Sequence, residues 1–164
     1  DTPVDYPVVK YSDNEFYLHK NFNKEYQFSG IPFLDYQSND ESVNKIIYAH
    51  NMKNGTMFAS LADYEDKSFY DAHKNIMYDT LYDKGEYEIV YAFTTKVGAS
   101  NEFKYYNYAD IESEERFNEY VTQAKSRSFY DTGVNTVYGD SLITLSTCAY
   151  HTSNERFVVI ARKK

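Results

Sequence analysis

Ser141-Leu142-Ile143-Thr144-Leu145-Ser146-Thr147-Cys148, followed after a short break by Arg156-Phe157-Val158-Val159-Ile160, is the stretch that decides how this chain folds. Both runs are rich in Leu, Ile, Val and Thr, the composition of strands. Between them, His151-Thr152-Ser153-Asn154-Glu155 has the composition of a turn. A hairpin centred on Thr152 sets Cys148 opposite Arg156. Paired positions share a face, with Cβ atoms about 4.5–5.5 Å apart, whereas a one-residue slip sends the two side chains to opposite faces. Cys148 is the only cysteine in 164 residues. A lone cysteine is ordinarily a small buried hydrophobe. A guanidinium beside a thiol, however, favours the thiolate, which is the nucleophilic form.

The same strand signals recur outward from the hairpin. Short β-like runs cover 8–11, 31–36, 45–50, 75–82 and 86–97, with Gly, Asn and Asp clustered between them. Their spacing predicts a mainly β chain, folded as an antiparallel barrel or sandwich. One long helix is predicted over 111–126, where Phe117, Tyr120, Val121 and Ala124 recur on one face. Asp110 is placed to cap it. Glu112, Glu114 and Glu115 suit the positive end of its dipole, and Lys125 and Arg127 the other. Residues 57–61 and 67–73 are candidates for short helices. No repeat, linker or low-complexity segment divides the chain, and its length suits one domain, 1–164, with a sizeable core.

A net charge of −8 argues against a general nucleic-acid partner, because phosphate binding needs a basic patch. No apolar run approaches transmembrane length, and no signal peptide is present. His50 ends a predicted strand in Tyr48-Ala49-His50-Asn51-Met52. Neither it nor His19, His73 or His151 has a partner at zinc-ligand spacing, and a single thiol is available, so no structural zinc site is expected. The acidic runs 63–66 and 112–115 do not match calcium-loop spacing and read as solvated faces. Asn54-Gly55-Thr56 fits the glycosylation pattern and is read as a turn. There is no Gly-rich phosphate loop and no serine nucleophile elbow. One thiol, one imidazole and one guanidinium remain: Cys148, His50 and Arg156. Together such groups can perform acyl transfer through a thioester.

Thr144-Leu145-Ser146-Thr147-Cys148, with a basic residue opening the next strand, resembles the active-site signature of the sortases. Residues 48–58, Tyr-Ala-His-Asn-Met-Lys-Asn-Gly-Thr-Met-Phe, resemble the histidine segment of class B sortases in particular. Asp5-Tyr6-Pro7-Val8-Val9, Asp13-Asn14-Glu15-Phe16-Tyr17-Leu18 and Gly30-Ile31-Pro32-Phe33-Leu34-Asp35-Tyr36 are also similar to that family, so the resemblance spans nearly the whole chain. One departure is Ala49, where the family often has Gly before the histidine.

The resemblance implies a closed β-barrel of about eight strands, with a long helix inserted between two late strands and short peripheral helices. It implies a cysteine transpeptidase that cleaves a C-terminal sorting motif of secreted proteins after threonine and passes the acyl group to a cell-wall amine. In that scheme Cys148 is the nucleophile, His50 the acid and base, and Arg156 holds the threonine carbonyl or the developing oxyanion. Asn14 and Leu18 match an Asn-x-x-x-Leu pattern that lines the class B groove. Ser146 and Thr147 offer hydroxyls to a bound peptide, and Tyr106 belongs to the other wall. No metal and no organic cofactor is implied. The implied partners are the sorting-motif peptide and a peptidoglycan-precursor amine. Class B members carry an N-terminal membrane anchor and a helical segment before the barrel. The chain opens at Asp1-Thr2-Pro3, already inside family-like sequence, so both are expected to be missing from it. The location implied is the outer face of a Gram-positive cytoplasmic membrane. The alternatives are a pilus-assembly sortase, a thiol peptidase that releases its product to water, and a non-catalytic surface-binding β-domain whose cysteine is only core.

Overall fold

The seven apolar runs of the sequence each become a strand: β1 (Val9–Lys10), β2 (Phe33–Leu34), β3 (Asn44–Tyr48), β4 (Asn75–Met77), β5 (Glu86–Lys96), β6 (Leu142–Cys148) and β7 (Glu155–Lys163). The computed structural model describes residues 2–98, 102–148 and 154–164, with Cys148 described by its backbone. The strands form one sheet in the order β1-β2-β3-β6-β7-β5-β4. β6 and β7 are antiparallel, and their register runs without a slip from Leu142 opposite Arg162 to Cys148 opposite Arg156. This is the predicted register. The centre of the turn at Thr152, and His151 beside it, lie outside the described residues.

Two features differ from the expectations, an antiparallel barrel or sandwich from the spacing and a closed barrel of about eight strands from the resemblance. The sheet is mixed, because β1 runs parallel to β2 and β3 runs parallel to β6. Parallel pairs are normally covered on both faces and read as continuous apolar runs. β3 fits that rule, since Asn44, Lys45, Ile46 and Ile47 are all buried. The strand count among the described residues is seven, and the edge strands β1 and β4 are not paired with each other. They are two and three residues long, so little ladder is left unpaired at either edge.

Each face of the sheet buries its own cluster. Ile47, Ile89, Ala92, Ile143, Leu145, Phe157 and Val159 pack with Leu61 and Tyr64, from a 3₁₀ turn at Ala59–Glu65, and with Tyr70, from helix α1 (Lys67–Ala72). Asp66 caps α1 by accepting from the Ser68 N–H. On the other face Ile46, Val90, Phe93, Leu142, Val158 and Ile160 pack against helix α2 (Glu114–Arg127) and a 3₁₀ turn at Tyr105–Tyr108. These two 3₁₀ turns and a third at Phe16–His19 complete the helical elements among the described residues.

The long helix lies between β5 and β6, as expected, but it starts later than predicted. Ser113 caps it, its hydroxyl accepting from the Arg116 N–H at 3.3 Å, in place of Asp110. Ile111 is buried among the aromatic residues before the helix begins, and the chain must stay extended through Ser113 to put it there. Phe117, Tyr120 and Ala124 are fully buried, as their spacing requires. Replacing a capping serine by alanine costs about 1 kcal/mol. Ser113→Ala is therefore expected to lower the melting temperature by about 2–4 °C, measurable by circular dichroism.

A buried polar chain ties α2 to the sheet. Thr144 Oγ1 donates to Asn44 Oδ1 at 2.7 Å, and so accepts from the Tyr120 phenol at 2.6 Å. Asn44 Nδ2 donates to the Tyr108 carbonyl at 2.9 Å. Burial holds the Tyr120 phenol well above its ordinary range, so it stays a donor. Buried polar groups joined in this way carry no desolvation debt.

Candidate active site

The Phe16–His19 turn begins where Asp13 accepts from the backbone N–H groups of Glu15 and Phe16, at 2.9 and 2.8 Å. It presents the Leu18 carbonyl towards the end of β3. Gly30 packs against this turn with φ +58°, and a Cβ there would fall 2.4 Å from the Leu18 oxygen. Only glycine accepts both conditions at that position. His50 follows β3, beyond Ala49, whose N–H donates to the Ser146 carbonyl at 3.2 Å and prolongs the β3–β6 pairing. Its own carbonyl accepts from the Phe58 N–H at 2.9 Å, closing a loop turned at Asn54-Gly55, where Gly55 has φ +82°.

His50 Nε2 lies 2.8 Å from the Leu18 oxygen. A carbonyl only accepts, so Nε2 carries the proton and Nδ1 is the basic nitrogen of the neutral ring. Across the sheet, Arg156 on β7 is paired with Cys148 on β6 and Thr95 on β5. Its guanidinium donates to the Glu155 carbonyl at 3.1 Å.

His50 and Arg156 line one cavity of about 260 Å³, together with Asn14, Leu18, Tyr106, Ser146 and Thr147. Every predicted site residue whose side chain is described is thus brought to one place, and the cysteine position is paired with the arginine at its edge. Their engagement differs. Both ends of the Asn14 amide are occupied: Nδ2 donates to Asp35 Oδ2 at 2.9 Å and Oδ1 accepts from the Tyr36 N–H at 3.0 Å. The Ser146 hydroxyl is bonded to the Tyr105 phenol at 2.6 Å. Thr147 is buried, its hydroxyl without a hydrogen-bond partner among the described residues, and is paired with Phe157, which belongs to the cluster on the opposite face.

Sequence reasoning missed part of the wall. Phe33, Tyr48, Ala49, Val97 and Tyr105 also line the cavity. Tyr48 donates to Asp35 Oδ2 at 2.9 Å, and burial, with Tyr105 and Asp35 nearby, holds its phenol far above the usual range. The signal for Tyr48 was available, since residues i and i+2 of a strand share a face. No comparable signal marks Phe33 or Val97. Among the described residues, no group of three or more His, Cys, Asp or Glu side chains is placed to hold a metal ion.

Residues 1–164 match the family model of the sortase domain. The chain belongs to the sortase family. A sortase B of Listeria monocytogenes is 38% identical over 150 residues, which are 90% of this chain and 59% of that relative. A sortase B of Staphylococcus aureus is 32% identical over 165 residues, covering 98% of this chain and 66% of the relative. This sortase thus spans less than two thirds of the length of either one. The solved structure of a Staphylococcus aureus sortase B–substrate complex superposes with a TM-score of 0.89 at 31% identity, over 99% of this chain and 75% of that one. The mainly β sheet with a helix inserted before its last hairpin is therefore the sortase fold.

Proposed function

We infer that this chain is a class B cysteine transpeptidase whose catalytic domain spans 1–164. One observation carries the reading: Cys148 is register-paired with Arg156 at the edge of the cavity that His50 also lines. Cys148 attacks the carbonyl of the threonine in a sorting motif, giving a thioester and releasing an amine. His50, its Nε2 proton committed to Leu18, gives and takes the working proton at Nδ1. Nδ1 takes the thiol proton of Cys148, passes it to the leaving amine, then accepts a proton from the incoming amine and returns it to the cysteine sulfur as the thioester opens. Arg156 supplies a fixed positive charge and planar donors for the carbonyl oxygen as negative charge develops on it. The acceptor is an amine of a peptidoglycan precursor. No helix among the described residues is long and apolar enough to cross a membrane. The family resemblance supports a place of action on the outer face of the cytoplasmic membrane.

The preferred substrate is a pentapeptide with Pro second, Thr fourth and Gly or Asn fifth, cut after threonine. A proline pre-sets an extended backbone and lowers the ordering cost of binding. The largely apolar wall formed by Leu18, Phe33, Tyr48 and Tyr106 suits such a peptide. In a competition among fluorogenic peptides differing only at the first and fifth positions, the Leu-first class A peptide is expected to be processed poorly. Clear preference for it would refute the class B assignment. Product analysis with and without an added amine separates transpeptidation from simple hydrolysis.

A further inference from the structure

Among the described residues two contacts hold the His50 ring, and the second comes from another histidine. Besides the hydrogen bond to Leu18, the His50 ring stacks on His19, with centroids 5.3 Å apart and planes 21° apart. His19 is exposed but does not lie loose. Its Nδ1 is 3.0 Å from the Phe28 carbonyl and therefore carries a proton there. Its ring also stacks with that of Phe28 at 6.0 Å and 25°, and lies 6.4 Å from the Tyr26 ring. The Gln27 N–H donates to the His19 carbonyl at 3.0 Å, and Lys20 bridges Tyr26, so the backbone behind the ring is closed.

One hydrogen bond leaves an imidazole free to swing about the bond axis, whereas a fixed ring against its face removes that freedom. Stacked aromatic pairs prefer this offset geometry. We propose that His19 is a positioning residue for His50. The Leu18 hydrogen bond sets the tautomer and the His19 stack sets the ring plane, so that Nδ1 is presented in one direction. The inference rests on the reading of His50 as the acid and base, since only proton transfer needs that direction fixed. The requirement on residue 19 is a flat ring, not a second titrating group.

Small misplacements of reacting groups cost rate steeply. In cleavage of the class B pentapeptide by the full chain, His19→Ala is expected to lower kcat about tenfold, with KM moving less than about twofold. His19→Phe keeps the flat ring and is expected to recover kcat to within about threefold. An unchanged kcat in His19→Ala, or a phenylalanine variant as slow as the alanine one, would overturn the proposal. Imidazole ¹⁵N NMR at a pH where the rings are neutral reads the positioning without turnover. His50 should be protonated at Nε2 in all three proteins, as the Leu18 bond requires. The wild type and His19→Phe should show one sharp set of His50 ring signals, and His19→Ala signals shifted and broadened by exchange among ring orientations. If the wild type cleaves no peptide, the functional reading fails and the spectra alone decide. Identical His50 signals in all three proteins would then sink the positioning role.

Discussion

Cys148→Ala is expected to keep its fold and to lose all peptide cleavage. Where catalytic groups act as a unit, removing the nucleophile costs on the order of 10⁶ in kcat, which brings turnover to background. The fold should survive because β6 is held by β7 along its whole length and by β3 from Leu142 to Ser146. Cys148 is also the last residue of its strand, and alanine there leaves the backbone ladder intact. Mass spectrometry after incubation with the pentapeptide should show a mass increase on the wild type only. Far-ultraviolet circular dichroism and the melting temperature should match in the two proteins. An acyl adduct on the alanine protein would place the nucleophile elsewhere. Unaltered cleavage would likewise leave Cys148 with a structural role only, and an absence of cleavage by the wild type itself would favour the non-catalytic β-domain.

Arg156→Ala is expected to lower kcat/KM about 10²–10³-fold, equivalent to roughly 3–4 kcal/mol in the transition state. Two effects combine. In the proposed mechanism the guanidinium supplies donors where charge develops on the carbonyl oxygen, and its positive charge, on the residue register-paired with Cys148, favours the thiolate. The variant should therefore also alkylate more slowly with iodoacetamide. Stability should change little, because β7 is anchored by Phe157, Val158, Val159 and Ile160, all buried, and not by its first residues. Arg156→Lys should recover activity only in part, since an ammonium keeps the charge and lacks the planar fork. Near-full cleavage by Arg156→Ala would show that the register pairing has no catalytic consequence. Arg162, on the same strand, is a useful contrast. Its guanidinium donates to the Asn135 carbonyl at 2.8 Å and lies 3.5 Å from Glu88, so its bonds are structural and far from the cavity.

The hairpin register was readable because composition marks both strands and their turn, and because a side-chain period of two makes any slip move every apolar residue to the wrong face. The buried face of α2 was readable for the analogous reason at helical period. Its start was not. The predicted cap at Asp110 was displaced by the burial of Ile111, a tertiary contact that overrides a local capping signal. The parallel pairing of β3 with β6 was likewise hidden. An apolar run reports that a strand is buried, and says nothing about which neighbour covers it or in which direction that neighbour runs.

The motif residues Cys148, His50 and Arg156 stood out as residue types whose chemistry can be combined, and the cysteine–arginine pairing followed from local hairpin geometry alone. Only the tertiary structure brings His50 to that hairpin, because this depends on β3 entering the sheet beside β6. It also decides what holds the imidazole: the Leu18 carbonyl, the close approach of Gly30 and the His19 ring. Leu18 and His50 are thirty-two residues apart in sequence. Local composition carries propensity and period, which act within a strand or a turn. Contacts across such separations depend on the order of the strands, and only the packing of both sheet faces selects that order.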